Sequence, residues 1–162
     1  MLMRFCLLDK ITELVPGVRI TGTRRLRAEE DYLKDHFPRF PVMPGVLMLE
    51  AAFQASSFLV RQSEGFVNSI VVLKEARNIK YSDFVTPGKE LVVTAEILKQ
   101  DNSTTTLKVQ GTIEGNIAVA GRLLLERFCL ADRYPRRANT DPYLRDHFRG
   151  ELARLLAAAT TA

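Results

Sequence analysis

Residues 35–54 read Asp-His-Phe-Pro-Arg-Phe-Pro-Val-Met-Pro-Gly-Val-Leu-Met-Leu-Glu-Ala-Ala-Phe-Gln, and this stretch decides the fold. Pro38, Pro41 and Pro44 fix their own φ and bias each preceding residue away from helix, so the segment opens as a rigid loop. Proline is tolerated at the start of a helix, where its missing N–H costs nothing, so a helix is expected from Pro44-Gly45. From Val46 to Val60 the side chains are apolar or small nearly all the way round, which is the pattern of a buried helix. Glu50 is the only charged residue between Arg39 and Arg61. A carboxylate in such a place must be paired, hydrogen-bonded or protonated, and Gln54, one turn on, is its nearest local partner. His36 stands just before the prolines and is one of two histidines in the chain. A histidine in a stiff loop and a lone acid on a buried helix form a candidate acid/base pair. Taken singly, each residue also has a plain reading, as a satisfied loop histidine or as a glutamate bonded to backbone or to an arginine.

Around this stretch the chain reads as α+β. Ile11–Val15 and Val18–Thr23 are strand-like and flank the turn dipeptide Pro16-Gly17, and Glu29–Asp35 suits a helical turn leading into His36. The helix is expected to end near Glu64-Gly65, with Arg61 and Gln62 marking its return to solvent. Strand patterns follow in 67–79, 91–98, 104–113 and 117–128. The turn-rich segments 100–103 and 114–116 imply hairpins and therefore antiparallel neighbours. In the tail, Asp141-Pro142 reads as N-cap and first helical residue. Leu144, Phe148, Leu152, Leu155 and Leu156 then form an apolar stripe at helical spacing. The favoured reading packs this helix on its own domain or on a neighbouring subunit, with a docking helix for another protein as the alternative. Tyr143–Phe148 echoes Tyr32–Phe37, but no Pro-Gly helix start or buried acid follows His147.

Composition narrows the function classes. The 162 residues suit one core, and no apolar run approaches the ~18 residues of a membrane span. No signal-peptide pattern opens the chain, so cytoplasmic residence is expected. Cys6 and Cys129 lack metal-ligand spacing and read as free thiols. The net charge is +4 and the pI ≈ 9.3. No nucleic-acid recognition motif accompanies that charge, and a basic surface also suits an acidic protein partner.

His36-Phe37-Pro38, Pro41–Leu47, Leu49-Glu50-Ala51 and Gln54 closely resemble, without a gap, the signature of the FabZ-type 3-hydroxyacyl-acyl-carrier-protein dehydratases. Phe5–Lys10, with Glu13-Leu14 and Pro16-Gly17, is similar to that family's opening segment, and Val85–Gly88 matches its Val-x-Pro-Gly. The related dehydratase-isomerases carry a different acid at the helix position, so Glu50 points to the FabZ branch. The resemblance implies a hot-dog fold over 1–131, a long central helix wrapped by a six-stranded antiparallel sheet, with 132–162 as a helical tail outside the match. It implies His36 as general base, Glu50 of the partner subunit as general acid, and Gln54 in the polar network beside them. Gly45 and Val46 would offer backbone N–H groups to the thioester carbonyl, where the orphan donors and dipole of a helix start meet developing negative charge. Phe53, Phe58 and Phe84 are candidates for an acyl tunnel or for ordinary core. The implied partners are an acidic acyl carrier protein and a second copy of the chain, as a homodimer or a trimer of dimers. No cofactor or metal is needed for the elimination. Arg39-Phe40 replaces a small or polar pair usual in the family, and Tyr81–Phe84 replaces a basic-rich segment. A hot-dog acyl thioesterase using the helix acid to activate water, and a non-catalytic acyl-binding subunit, are the competing readings.

Overall fold

A computed structural model describes residues 5–161. Six strands, β1 (Lys10–Val15), β2 (Arg19–Arg25), β3 (Ile70–Tyr81), β4 (Glu90–Gln100), β5 (Thr104–Ile113) and β6 (Asn116–Phe128), form one antiparallel sheet in the order β1-β2-β4-β5-β6-β3. Hairpin chemistry sets the local register. Glu114 and Gly115 both have positive φ between the paired residues Ile113 and Asn116, a two-residue loop whose twist matches that of the strands it joins. On β5 burial alternates residue by residue, so Thr105, Leu107, Val109, Gly111 and Ile113 face inward and their neighbours face out.

The helix α1 (Gly45–Ser63) lies in the trough of the sheet, as its all-round apolar surface predicts. Ala51, Ala52, Ala55, Phe58, Leu59 and Val60 pack against Ile20, Leu91, Val93, Leu107, Val109, Leu123 and Leu125 in one core. Small residues along α1 let the strands approach it closely.

After β6 come a short helix α2 (Leu130–Arg133) and a long one, α3 (Thr140–Thr160). The tail helix packs on its own domain: it contacts β1, and Leu152 and Leu155 join the core. Two local expectations change. Arg61 does not mark a return to solvent; it is 3% exposed, its guanidinium lying 3.8 Å from the centre of the Phe148 ring on α3. Asp141 does not cap α3, whose N-cap is Asn139. Its buried carboxylate instead accepts the backbone N–H groups of Leu130 (2.7 Å) and Ala131 (3.1 Å) and the hydroxyl of Ser69. Those N–H groups are orphan donors at the start of α2, so Asp141 satisfies a different helix from the one it begins.

Candidate active site

The loop before α1 is held from both sides. Val42 and Met43 are buried in the core region, and the Met43 N–H donates to Val85 O at 2.9 Å. This anchors the carbonyl of Val42, which receives the Nδ1–H of half-buried His36 at 2.9 Å. A carbonyl can only accept, so Nδ1 carries a proton, and in the neutral ring Nε2 keeps its lone pair for chemistry. Phe37 packs its ring on His36 at 4.6 Å and adopts φ 52°, a strained choice for a bulky residue before proline. The Phe40 N–H closes the turn onto Phe37 O at 2.8 Å, so this strain is held by the loop.

Glu50 lies half-buried in the second turn of α1. The Gln54 amide donates to Glu50 Oε1 at 3.1 Å and to Phe5 O at 2.7 Å, and its own oxygen receives the Leu7 N–H at 2.8 Å. Gln54 therefore fixes both the acid and the N-terminal segment beside it. Together they border a pocket of about 580 Å³, whose wall also includes Cys6, Arg24, Glu30, Asp31, Tyr32 and Leu47.

That wall is largely apolar, through Phe5, Leu7 and Leu47, with a charged cluster set into it. Arg24 bonds Asp9 at 3.2 Å and also pairs with Glu30, which accepts the Tyr32 hydroxyl at 3.0 Å. Burial opposes the Arg24 charge, yet Glu30 and Asp9 hold its pKa above the ordinary value. Burial and the adjoining Glu30 carboxylate push the Tyr32 phenol far up. Sequence reasoning missed this cluster because its members lie just before β1, on β2 and in the segment after β2, and no single stretch carries the signal.

Other expected residues are dispersed. Gly45 begins α1, whose N-terminus no side chain caps, and Val46 beside it is 68% exposed. The ring of Tyr81 lies against Gly45, and a Cβ there would come within 2.9 Å of Tyr81 Cε1. Phe58 is core and meets Phe148 edge-on, and Phe53 packs half-buried against the core. Phe84 is exposed and meets Phe40 edge to face at 5.5 Å, and neither Phe84 nor His36 lines the pocket that Glu50 borders.

One long helix in the trough of a six-stranded antiparallel sheet defines a hot-dog protein. Among solved structures, the dehydratase heterocomplex ApeI:P from Xenorhabdus doucetiae has this fold, with a TM-score of 0.67 at 16% identity over 83% of this chain and 91% of that one. Residues 2–122 match the family model of the FabA-like domain. A 3-hydroxyacyl-(acyl-carrier-protein) dehydratase FabZ from Ruminiclostridium cellulolyticum is 34% identical over 119 residues, 74% of this chain and 84% of the relative. The FabZ of Listeria monocytogenes is 31% identical over 128 residues, 79% and 87% of the two chains. The chain belongs to the FabA-like domain family, in its FabZ-type branch.

Proposed function

We propose that this protein dehydrates 3-hydroxyacyl chains carried on acyl carrier protein to trans-2-enoyl chains, in fatty-acid or related lipid synthesis in the cytoplasm. His36 Nε2 removes the C2 proton. The Glu50 carboxylic acid gives its proton to the C3 hydroxyl, which leaves as water while the C2–C3 double bond forms. Transfer of the proton from the imidazolium back to the Glu50 carboxylate, directly or through solvent, resets both groups. Backbone N–H groups at the uncapped start of α1 face the thioester oxygen as charge develops on it.

The observation that carries this reading is the His36–Val42 bond, which sets the ring with Nε2 free on a loop too stiff to reorient it. FabZ relatives of known name support the reaction class. The two catalytic groups come from different subunits in this proposal. In its support, His36 is absent from the Glu50 pocket of one chain. β3 is a twelve-residue edge strand with Val72 and Leu73 exposed, and Phe37, Phe40, Val46, Tyr81 and Phe84 stand exposed near the start of α1. A long unpaired edge beside exposed aromatic residues suits a partner, and pairing β3 with β3 of a second copy would cover it.

The test is reversible hydration of a trans-2-enoyl thioester by wild type, His36→Ala, Glu50→Ala and an equal mixture of the two variants. Loss in each single variant with partial recovery in the mixture, once subunits exchange, is the expected result. No recovery sinks the shared site. Thiol release without hydration by wild type replaces the dehydratase with a thioesterase.

A further inference from the structure

The Glu50 pocket carries groups that the elimination itself does not require. Phe5, Leu7 and Leu47 offer an acyl chain an apolar wall beside the acid. Set into the same wall are Arg24, Glu30 and Tyr32, from which an alkyl chain gains nothing. Ion pairs that brace this sheet elsewhere, such as Arg19–Glu13 and Arg77–Glu75, lie on the surface with both side chains close to half exposed. Arg24 and Glu30 instead keep only 14% and 13% of their side-chain surface, and they border a cavity.

The hydrogen-bonding capacity of this cluster is not all spent. Arg24 donates through Nη1 to Asp9 and through Nη2 to Glu30, while its Nε is buried without a partner. A guanidinium has five N–H donors, so some remain for a ligand. Tyr32 donates its hydroxyl to Glu30 at 3.0 Å, and among the described residues its phenol oxygen accepts nothing. Solvent can serve these groups while the pocket is open. A methyl-ended chain laid over them would displace that solvent and return no hydrogen bond, which costs free energy. A hydroxyl on the chain would donate to the Tyr32 oxygen and accept from Arg24.

Charge narrows the choice further. The wall holds three carboxyl groups, on Glu30, Asp31 and Glu50, and one guanidinium, on Arg24. A chain ending in a carboxylate would meet the acids. One ending in an ammonium would meet Arg24, which Asp9 and Glu30 already hold. A neutral polar end avoids both repulsions.

We propose that this pocket selects acyl chains bearing a neutral hydroxyl towards their far end, with Tyr32 and Arg24 as the residues that recognise it. The proposal rests on the dehydratase reading, which places the chain beside Glu50. The test uses trans-2-enoyl pantetheine thioesters in pairs of equal length, one ending in a methyl and the other in an ω-hydroxyl. Over a length series, kcat/KM for hydration of the hydroxyl member is expected to exceed that of its pair roughly tenfold at the length that reaches the cluster. Tyr32→Phe, which keeps the ring, should bring that ratio towards one. A ratio taken within one variant does not depend on how much of it folds, so a purely structural role for Tyr32 would leave it unmoved. Equal or better turnover of the methyl member at every length overturns the proposal. So does a preference for the hydroxyl that Tyr32→Phe leaves intact. Saturated acyl-pantetheine amides with the same two ends, their binding read by calorimetry, test the pocket apart from the chemistry. Tighter binding of the hydroxyl amide by a wild type that hydrates no thioester overturns the dehydratase reading and leaves the pocket assignment standing.

Discussion

The two ends of α1 treat a charged side chain in opposite ways. Near its start, Glu50 borders an open pocket, and a single amide from Gln54 holds it. Near its end, Arg61 is sealed under Phe148 with one bond, to Ser69 O at 2.9 Å, and its Nε has no partner. Desolvation pushes the Arg61 pKa down to about 10, with Glu64 partly opposing the fall. A charge kept accessible beside a cavity is available for proton transfer, whereas a charge closed off by a ring is available for nothing but packing. The family signature covers the first end; the cover over the second comes from α3, beyond residue 122 where the family match stops.

The difference can be broken most directly at Glu50. Replacing Glu50 with Gln keeps the side-chain volume and the contact with Gln54, and is expected to lower dehydration at least ~100-fold with the melting temperature little changed. Stopped-flow turnover beside thermal melting checks this, and activity near wild type would remove Glu50 from the mechanism. At the other end the expected pattern reverses. Leu155→Ala, at a fully buried position of α3, should cost about 2–5 kcal/mol in urea unfolding. Turnover per folded molecule should barely move, and a large fall in kcat at full folding would show that α3 reaches the chemistry.

Asp141 offers a finer probe of the same cover. Burial alone would raise its pKa, but hydrogen bonds from Ser69, Ala131 and Leu130, with Arg145 nearby, outweigh burial and hold the carboxyl below its usual value. A folded pKa below the unfolded one means that its stabilising contribution is complete above the unfolded value of ~4 and is lost as pH falls through the folded value. Asp141→Asn should therefore be about 1–2 kcal/mol less stable at neutral pH, with the gap to wild type narrowing in acid. Unfolding curves between pH 7 and pH 3 read this, and a gap independent of pH would dismiss the linkage. The smallest effect is expected at Arg61 itself. Arg61→Met removes a costly buried charge and keeps much of the volume under Phe148, so stability should stay within about 1 kcal/mol of wild type. A loss several times larger would mean that the Ser69 bond and the ring contact carry more than the desolvation they offset.

Much of the architecture was legible along the chain because the signals were local. Apolar or small side chains nearly all the way round from Val46 to Val60 announced a buried helix, and α1 occupies that stretch. Alternation and turn chemistry placed β4, β5 and β6 and the loop at Glu114-Gly115. The pair of candidate groups, His36 and Glu50, was readable because both sit in one short segment of fixed spacing. The rest of the site was not. Phe5, Arg24, Glu30 and Tyr32 join the Glu50 pocket only after β1, β2 and the following turn have assembled beside α1.

By itself the sequence determined which segments become strand or helix, where the chain turns, and which histidine and acid flank the helix start, since periodicity, proline geometry and capping act over a few residues. Tertiary structure alone decided what covers what. Arg61, expected at the surface, is buried because a helix some eighty residues later lies over it, and Asp141, expected to cap its own helix, caps another. Lys108, Arg122 and Arg77 likewise become cross-strand neighbours only through the register of three strands, which the β3 irregularities at Leu73/Glu75 and Arg77/Lys80 help to set. Contacts between distant residues depend on packing and pairing geometry that no local stretch encodes.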